Sequence, residues 1–177
     1  MSNFIIEEEP GLYKILELKA LRRTPKVYFD VIPKENMPQI DSVDRVIHET
    51  GAISPGRIGE VERPWYMHPA QDDNLIVLQG KRFVDIYTHK HGKIESFEVT
   101  PHYVKRNGEI VFEGEAVLVW PRGVFHRIKT CDIEGSASIN LATHYHGFDI
   151  RTNFNIYELH EESGKFEVIR EGHLDQI

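Results

Sequence analysis

The hydrophobic positions change their rhythm along the chain. Near the N-terminus, Leu12, Ile15, Leu16 and Ala20 recur at three- and four-residue intervals, and Arg22 and Arg23 close the segment. That spacing predicts a helix over 12–23, with its positive charge at the end the helix dipole favours and Thr24-Pro25 as its stop. KVYFDVI, Lys26 to Ile32, is rich in β-formers and reads as a strand. A second helix is expected from Asp41 or Ser42 as cap, with Val43, Val46, Ile47 and Thr50 on one face and Gly51 at the end.

From Arg57 onward the pattern is short β-rich runs separated by turn residues. LIVLQ breaks at Gly80 and RFVDIYT follows at once; IESFEVT, EIVFEG, EAVLVW, VFHRIKT, SASINLATHYH, NIYEL and KFEVI follow in turn. Asn107-Gly108 is a tight-turn signal, because both residues accept positive φ. Many short strands without alternating helices predict a mainly β sandwich or jelly-roll barrel. No linker divides the chain. The expectation is one domain over 1–177, with an N-terminal strand and helices in 1–56 and the barrel in 57–177.

Composition narrows the partners. The 177 residues are 40% hydrophobic and 28% charged, with 28 acidic against 21 basic residues and a net charge of −7. Such a chain is repelled by phosphate backbones, and Arg22-Arg23 and Lys105-Arg106 are too short to form a basic patch, so nucleic acid is not an expected partner. No apolar run reaches bilayer length, and MSNFIIEEEPG has no secretory pattern. The single cysteine, Cys131, has no intramolecular partner, which fits a cytoplasmic setting. The expected partner is a small molecule.

The chemistry concentrates in YMHPAQDDNLIVLQG, Tyr66 to Gly80, and PRGVFH, Pro121 to His126. Residues two apart on a strand share a face, so Tyr66 and His68 enter one side together. Asp73 on the next strand and His126 after the Pro121–Gly123 turn would meet them there. Two imidazoles and a carboxylate suit iron(II), manganese, nickel or zinc, with positions left open for substrate or water. Plainer readings stand beside these. His68 before Pro69 could be a rim residue, Asp72-Asp73 a solvent-facing turn pair, and Tyr66 a pocket wall or a proton donor. Trp120, immediately before Pro121, is a packing residue or a wall of the pocket. His144 and His146 alternate near a strand end. They are either solvent-facing or part of the cavity's polar lining.

These two segments resemble the paired motifs of the cupin superfamily. Tyr66 stands where the first motif has its first His; His68, Asp73 and Gly80 stand at its second His, its Glu and its Gly. Pro121, Gly123 and His126 match the end of the second motif. Its earlier Gly is displaced to Gly114, and Thr130 stands at its trailing Asn. The resemblance spans about 59–146. It implies a cupin-type antiparallel barrel, a metal at His68, Asp73 and His126, and a homodimer in which N-terminal strands such as Lys26 to Ile32 pack or exchange. On this reading Tyr66 and His126 are the catalytic candidates, with Gln71, Trp120, His144 and His146 lining the substrate.

Three functions follow. The first is a metal-dependent enzyme of dioxygenase or isomerase type. The second is a metal-independent nucleotide-sugar epimerase or isomerase, for which His68 and Gln71 are a loose echo; its diphosphate would need cations, and only Arg63, Lys81, Arg82 and Arg122 lie near. The third is a non-catalytic small-molecule-binding module.

Overall fold

A computed structural model describes residues 4–37 and 39–177. The chain forms strands β1 (Ile5–Glu9), β2 (Tyr13–Glu17), β3 (Lys19–Thr24), β4 (Val27–Val31), β5 (Ser42–His48), β6 (Ile53–Ser54), β7 (Trp65–Met67), β8 (Gln71–Gln79) and β9 (Arg82–Tyr87). It continues with β10 (Glu95–Val99), β11 (Tyr103–Arg106), β12 (Glu109–Glu113), β13 (Ala116–Trp120), β14 (Phe125–Thr130), β15 (Ser136–His144), the helical turn α1 (Ile150–Asn153), β16 (Ile156–His160) and β17 (Lys165–Arg170).

One sheet has the order β1-β2-β13-β8-β15-β5, and the other β12-β11-β10-β9-β14-β7-β16-β17, with β6 beside β14. All pairings among these strands are antiparallel. Their inner faces share one core: Ile15, Leu75, Val77 and Leu118 from the first sheet meet Val84, Ile86, Phe97 and Val104 from the second. Burial of such side chains is the dominant stabilising term. The mainly β, jelly-roll-like architecture is the expected one. No helix among the described residues is long and apolar enough to cross a membrane.

Neither expected N-terminal helix forms. Residues 12–23 make β2 and β3 instead. In β2, Tyr13 and Ile15 enter the inter-sheet core while Leu16 packs on the opposite face with Met37, Ile76, Val117 and Leu141. A strand buried on both faces loses the alternation that marks a strand, and its apolar residues fall at helical intervals by coincidence. The second expected helix is β5. Its inward side chains are Ser42, Asp44, Val46 and His48, and its outward ones include Val43 and Ile47, which are exposed. Polar residues face the barrel interior there, which inverts the usual strand pattern. The strand expected over Lys26 to Ile32 does form, as β4, and it pairs with β3 in a separate two-stranded hairpin.

Candidate functional site

The strand order brings the two motif segments together. β7 lies beside β14 with Tyr66 opposite His126, and β13 lies beside β8 with Trp120 opposite Asp73. A cavity of about 260 Å3 opens between the sheets, lined by Tyr66, His68, Asp73, Trp120 and His126, and also by Arg82 and Ser138. A larger cleft of about 520 Å3, lined by Glu8, Lys14, Asp72 and Tyr145 among others, contains none of the expected site residues.

His68, Asp73 and His126 are buried, and one ligand atom from each falls within 4.8 Å of the others. His68 Nε2 is 3.3 Å from Asp73 Oδ2, and His126 Nε2 is 4.0 Å from the same oxygen. Each imidazole is oriented from behind. His68 Nδ1 lies 2.5 Å from the Asn153 carbonyl, and His126 Nδ1 lies 3.2 Å from the Val124 carbonyl. A carbonyl only accepts, so both Nδ1 atoms carry the proton, and in the neutral rings both Nε2 atoms present lone pairs. Burial, and then the proximity of His68, hold the His126 imidazole down to about 4 against the opposing pull of Asp73, so it is neutral near pH 7.

Asp73 Oδ1 accepts from Gln71 Nε2 at 2.8 Å and from Asn140 Nδ2 at 2.7 Å, while Oδ2 is buried with no hydrogen bond. Two imidazole Nε2 atoms and one carboxylate oxygen therefore converge on one point. Unpaired buried groups of this kind are costly, and a proton on an imidazole or a bound cation would each offset the cost. A divalent ion with bonds of about 2.0–2.2 Å holds its ligand atoms roughly 3–3.5 Å apart; the His68–Asp73 pair at 3.3 Å has that spacing, and the His126–Asp73 pair at 4.0 Å would have to draw in. The donor set, two imidazoles and a carboxylate with open positions, fits such an ion.

The surrounding groups are fixed by the turn after β15. Asp149 caps α1 by accepting from Arg151 N–H. That turn delivers the Asn153 carbonyl to His68, the Asn153 amide to Gln71 Oε1 at 3.0 Å, and the Phe154 ring edge-on to His68 at 5.0 Å. Tyr66 and Trp120 flank His126, with ring centroids 5.9 and 5.2 Å away. Burial raises the Tyr66 phenol above its ordinary range, so it stays protonated.

The expected site residues thus fall into three groups. Tyr66, His68, Asp73, Trp120 and His126 line one cavity. Gln71 is buried behind it and supports Asp73. His144 and His146 lie outside it: His144 stacks on Phe148 at 3.6 Å with its backbone N–H on Asp41, and His146 is exposed. The β15 register explains this. Ser138 and Asn140 point inward, and His144 ends the strand, beyond the cavity. Sequence reasoning missed Asp44, His48, Ser138 and Asn140, which line the same space. Their only signal was the polar face of a segment read as a helix or as a plain late strand.

No family model and no curated protein matches the chain. Solved structures do. A sugar 3,4-ketoisomerase, QdtA, from Thermoanaerobacterium thermosaccharolyticum, in complex with TDP, superposes with TM-score 0.54 at 15% identity, over 77% of this chain and 82% of that one. The dTDP-4-dehydrorhamnose 3,5-epimerase of Elizabethkingia anophelis gives 0.56 at 12% identity, over 82% and 77%. NovW, a 4-keto-6-deoxy sugar epimerase from Streptomyces spheroides, gives 0.57 at 10% identity, over 84% and 72%. With two antiparallel sheets in this order, the paired motif segments meeting inside, and these superpositions, the chain shares the double-sheet barrel fold of these structures.

Proposed function

We propose that the barrel cavity binds a small oxygen-bearing molecule beside a divalent cation held by His68, Asp73 and His126, and that the chain is a metal-dependent enzyme of isomerase or dioxygenase type. One observation carries this: Asp73 Oδ2 is buried without a partner between two imidazole nitrogens whose protons are committed elsewhere. The ion would polarise a substrate oxygen. The protonated Tyr66 phenol beside His126 is placed to donate to that substrate, and Trp120, whose indole N–H is buried without an acceptor, forms the adjoining wall with a second donor. The homodimer implied by the motif resemblance belongs to the same proposal. Exposed Leu21, Val27, Tyr28 and Phe29 on the β3–β4 hairpin offer apolar surface for it, and sedimentation analysis tests it.

The experiment is metal analysis of untagged protein, followed by calorimetric titration with iron(II), manganese, nickel and zinc. About one ion per chain is expected, lost in Asp73→Ala and in His126→Ala. Failure of the wild-type chain to take up any of the four removes the reading.

A second reading is a metal-independent nucleotide-sugar isomerase or epimerase. The fold's neighbours support it, since those described above are keto-sugar isomerases and epimerases by name. On this reading His68 or His126 is the base and Tyr66 the acid across the cavity. The tied Nδ1 atoms leave both Nε2 lone pairs free for either role; the orphaned carboxylate oxygen supports the cation. Thermal stabilisation of metal-free protein by a dTDP-hexose would decide for the second reading. Ligand binding without turnover of any tested substrate would decide for a sensing module.

A further inference from the structure

The same cavity has another end, lined by groups the His–Asp–His cluster does not use. Arg82, the first residue of β9, is 1% exposed, yet it lines the cavity. Its Nε donates to the Ser136 hydroxyl at 2.8 Å and its Nη2 to the Val46 carbonyl at 3.1 Å. Among the described residues Nη1 has no hydrogen bond and the guanidinium forms no ion pair. Buried arginines are rarely left without an anion. Burial pulls Arg82 down to about 10, which still leaves it charged near neutrality.

Two more buried polar atoms in this region lack partners, Ser138 Oγ and His48 Nδ1. Of the two acids lining the cavity, Asp73 belongs to the other end, and Asp44 is already engaged by the Ser42 hydroxyl and by Asn140 Nδ2 at 3.4 Å.

The register fixes the spacing. Asn140, opposite Asp44, reaches Asp73; Ser138 is opposite Val46; Ser136 is opposite His48. Each inward step along β15 advances about 7 Å. Leu75 and Ile128, two residues on from Asp73 and His126 along their respective strands, line the stretch between. The cavity is therefore bipolar: convergent lone pairs at one end, an unpaired cation with unpaired polar groups at the other, and an apolar middle.

We infer that the ligand is a small monocarboxylate, with its carboxylate against Arg82, Ser138 and His48 and its opposite end toward His68, Asp73 and His126. This deepens the reading above and rests on it for the identification of the cavity as the ligand site. One guanidinium matches one carboxylate in charge and geometry. At about 260 Å3 the space falls below the roughly 300–1,000 Å3 of drug-sized sites, so a short acid can be held within it while a nucleoside diphosphate would have to extend beyond its mouth.

The test is calorimetry on the full-length chain after chelator treatment, with butyrate and hexanoate as probes and 1-butanol and 1-hexanol as neutral counterparts. The acids should bind roughly tenfold or more tighter than the alcohols, and Arg82→Met should abolish that difference. Should Arg82→Met fail to fold, Ser138→Ala and His48→Leu carry the test. Their unpaired atoms hold no hydrogen bond in the fold, and each variant should weaken the acids several-fold while sparing the alcohols. Equal binding of acids and alcohols overturns the proposal, as does unchanged acid affinity in both of those variants. Manganese titration of the same samples separates the two readings. Acid binding without manganese uptake removes the cation and keeps the carboxylate; manganese uptake without acid preference does the reverse.

Discussion

Asn140 and Asp73, on neighbouring strands of one sheet, share a single hydrogen bond that leaves half of a carboxylate unsatisfied. Asn140 and Gln71 both donate to Oδ1, and Oδ2 is left without a hydrogen bond beside the Nε2 atoms of His68 and His126. In metal-free protein this arrangement costs stability. Asp73→Asn keeps an oxygen for Asn140 and Gln71 and turns an amide N–H toward His68 Nε2. Its metal-free form should be more stable than wild type by about 1–2 kcal/mol in urea unfolding, with metal affinity reduced at least roughly tenfold. A destabilised variant would show that no such repulsion exists.

Acid should weaken the fold through His48. Burial, and then the charge of Arg82, hold its imidazole down to about 4 against an ordinary 6.5. Between those values the unfolded chain takes up a proton that the folded chain refuses. Stability from this group is therefore intact above pH 6.5 and falls as pH drops toward 4. The full shift corresponds to about 3 kcal/mol, and partial solvent screening reduces the expected loss to about 1–2 kcal/mol. His126 acts in the same direction. Denaturant unfolding of wild type and His48→Gln at pH 7.5, 6 and 5 measures this, and the variant should lose stability less steeply. Parallel slopes would exclude His48 as a contributor.

What the sequence made legible was the local chemistry that tolerates few alternatives. Asn107 and Gly108 do take positive φ, 51° and 88°, at the turn between β11 and β12. The short runs from β7 onward are strands, and the spacing of Tyr66, His68, Asp73 and His126 does bring them to one cavity. The N-terminal third was misread because β2 is buried on both faces and β5 turns polar residues inward, so neither shows strand alternation. Arg82, His48 and Ser138 were hidden for a related reason. They come from three strands far apart in sequence, and only the register places them together. His144 and His146 alternate correctly, but alternation says nothing about how far along the barrel a strand has travelled.

Gly80, read as a hairpin break, has a second constraint. Its φ is +72°, and a Cβ there would sit 2.0 Å from the Gly135 carbonyl oxygen, at the approach between the start of β9 and the start of β15. Gly108 has φ +88° but open space around it. Gly80→Ala should therefore cost about 2–4 kcal/mol, and Gly108→Ala about 1 kcal/mol from backbone strain alone. Thermal and urea unfolding of the two variants give the comparison. Equal losses would mean that the close approach relaxes freely.

The most direct test of the cation lies at Tyr66. Its backbone sits opposite His126 and its side chain lines the same cavity as His68 and Asp73, so the position borders the cluster. Its chemistry is wrong for a metal ligand, because burial raises the phenol further above neutrality and it keeps its proton. Tyr66→His replaces a protonated oxygen with a nitrogen lone pair at the same place. It should tighten nickel or zinc binding by roughly tenfold or more, while Tyr66→Phe should change it by no more than about twofold. Competition against a chromogenic chelator measures both. A large loss in Tyr66→Phe would make the phenol itself a ligand. Failure of Tyr66→His to tighten binding, in a variant with unchanged unfolding free energy, would mean that His68, Asp73 and His126 do not hold the ion beside this strand.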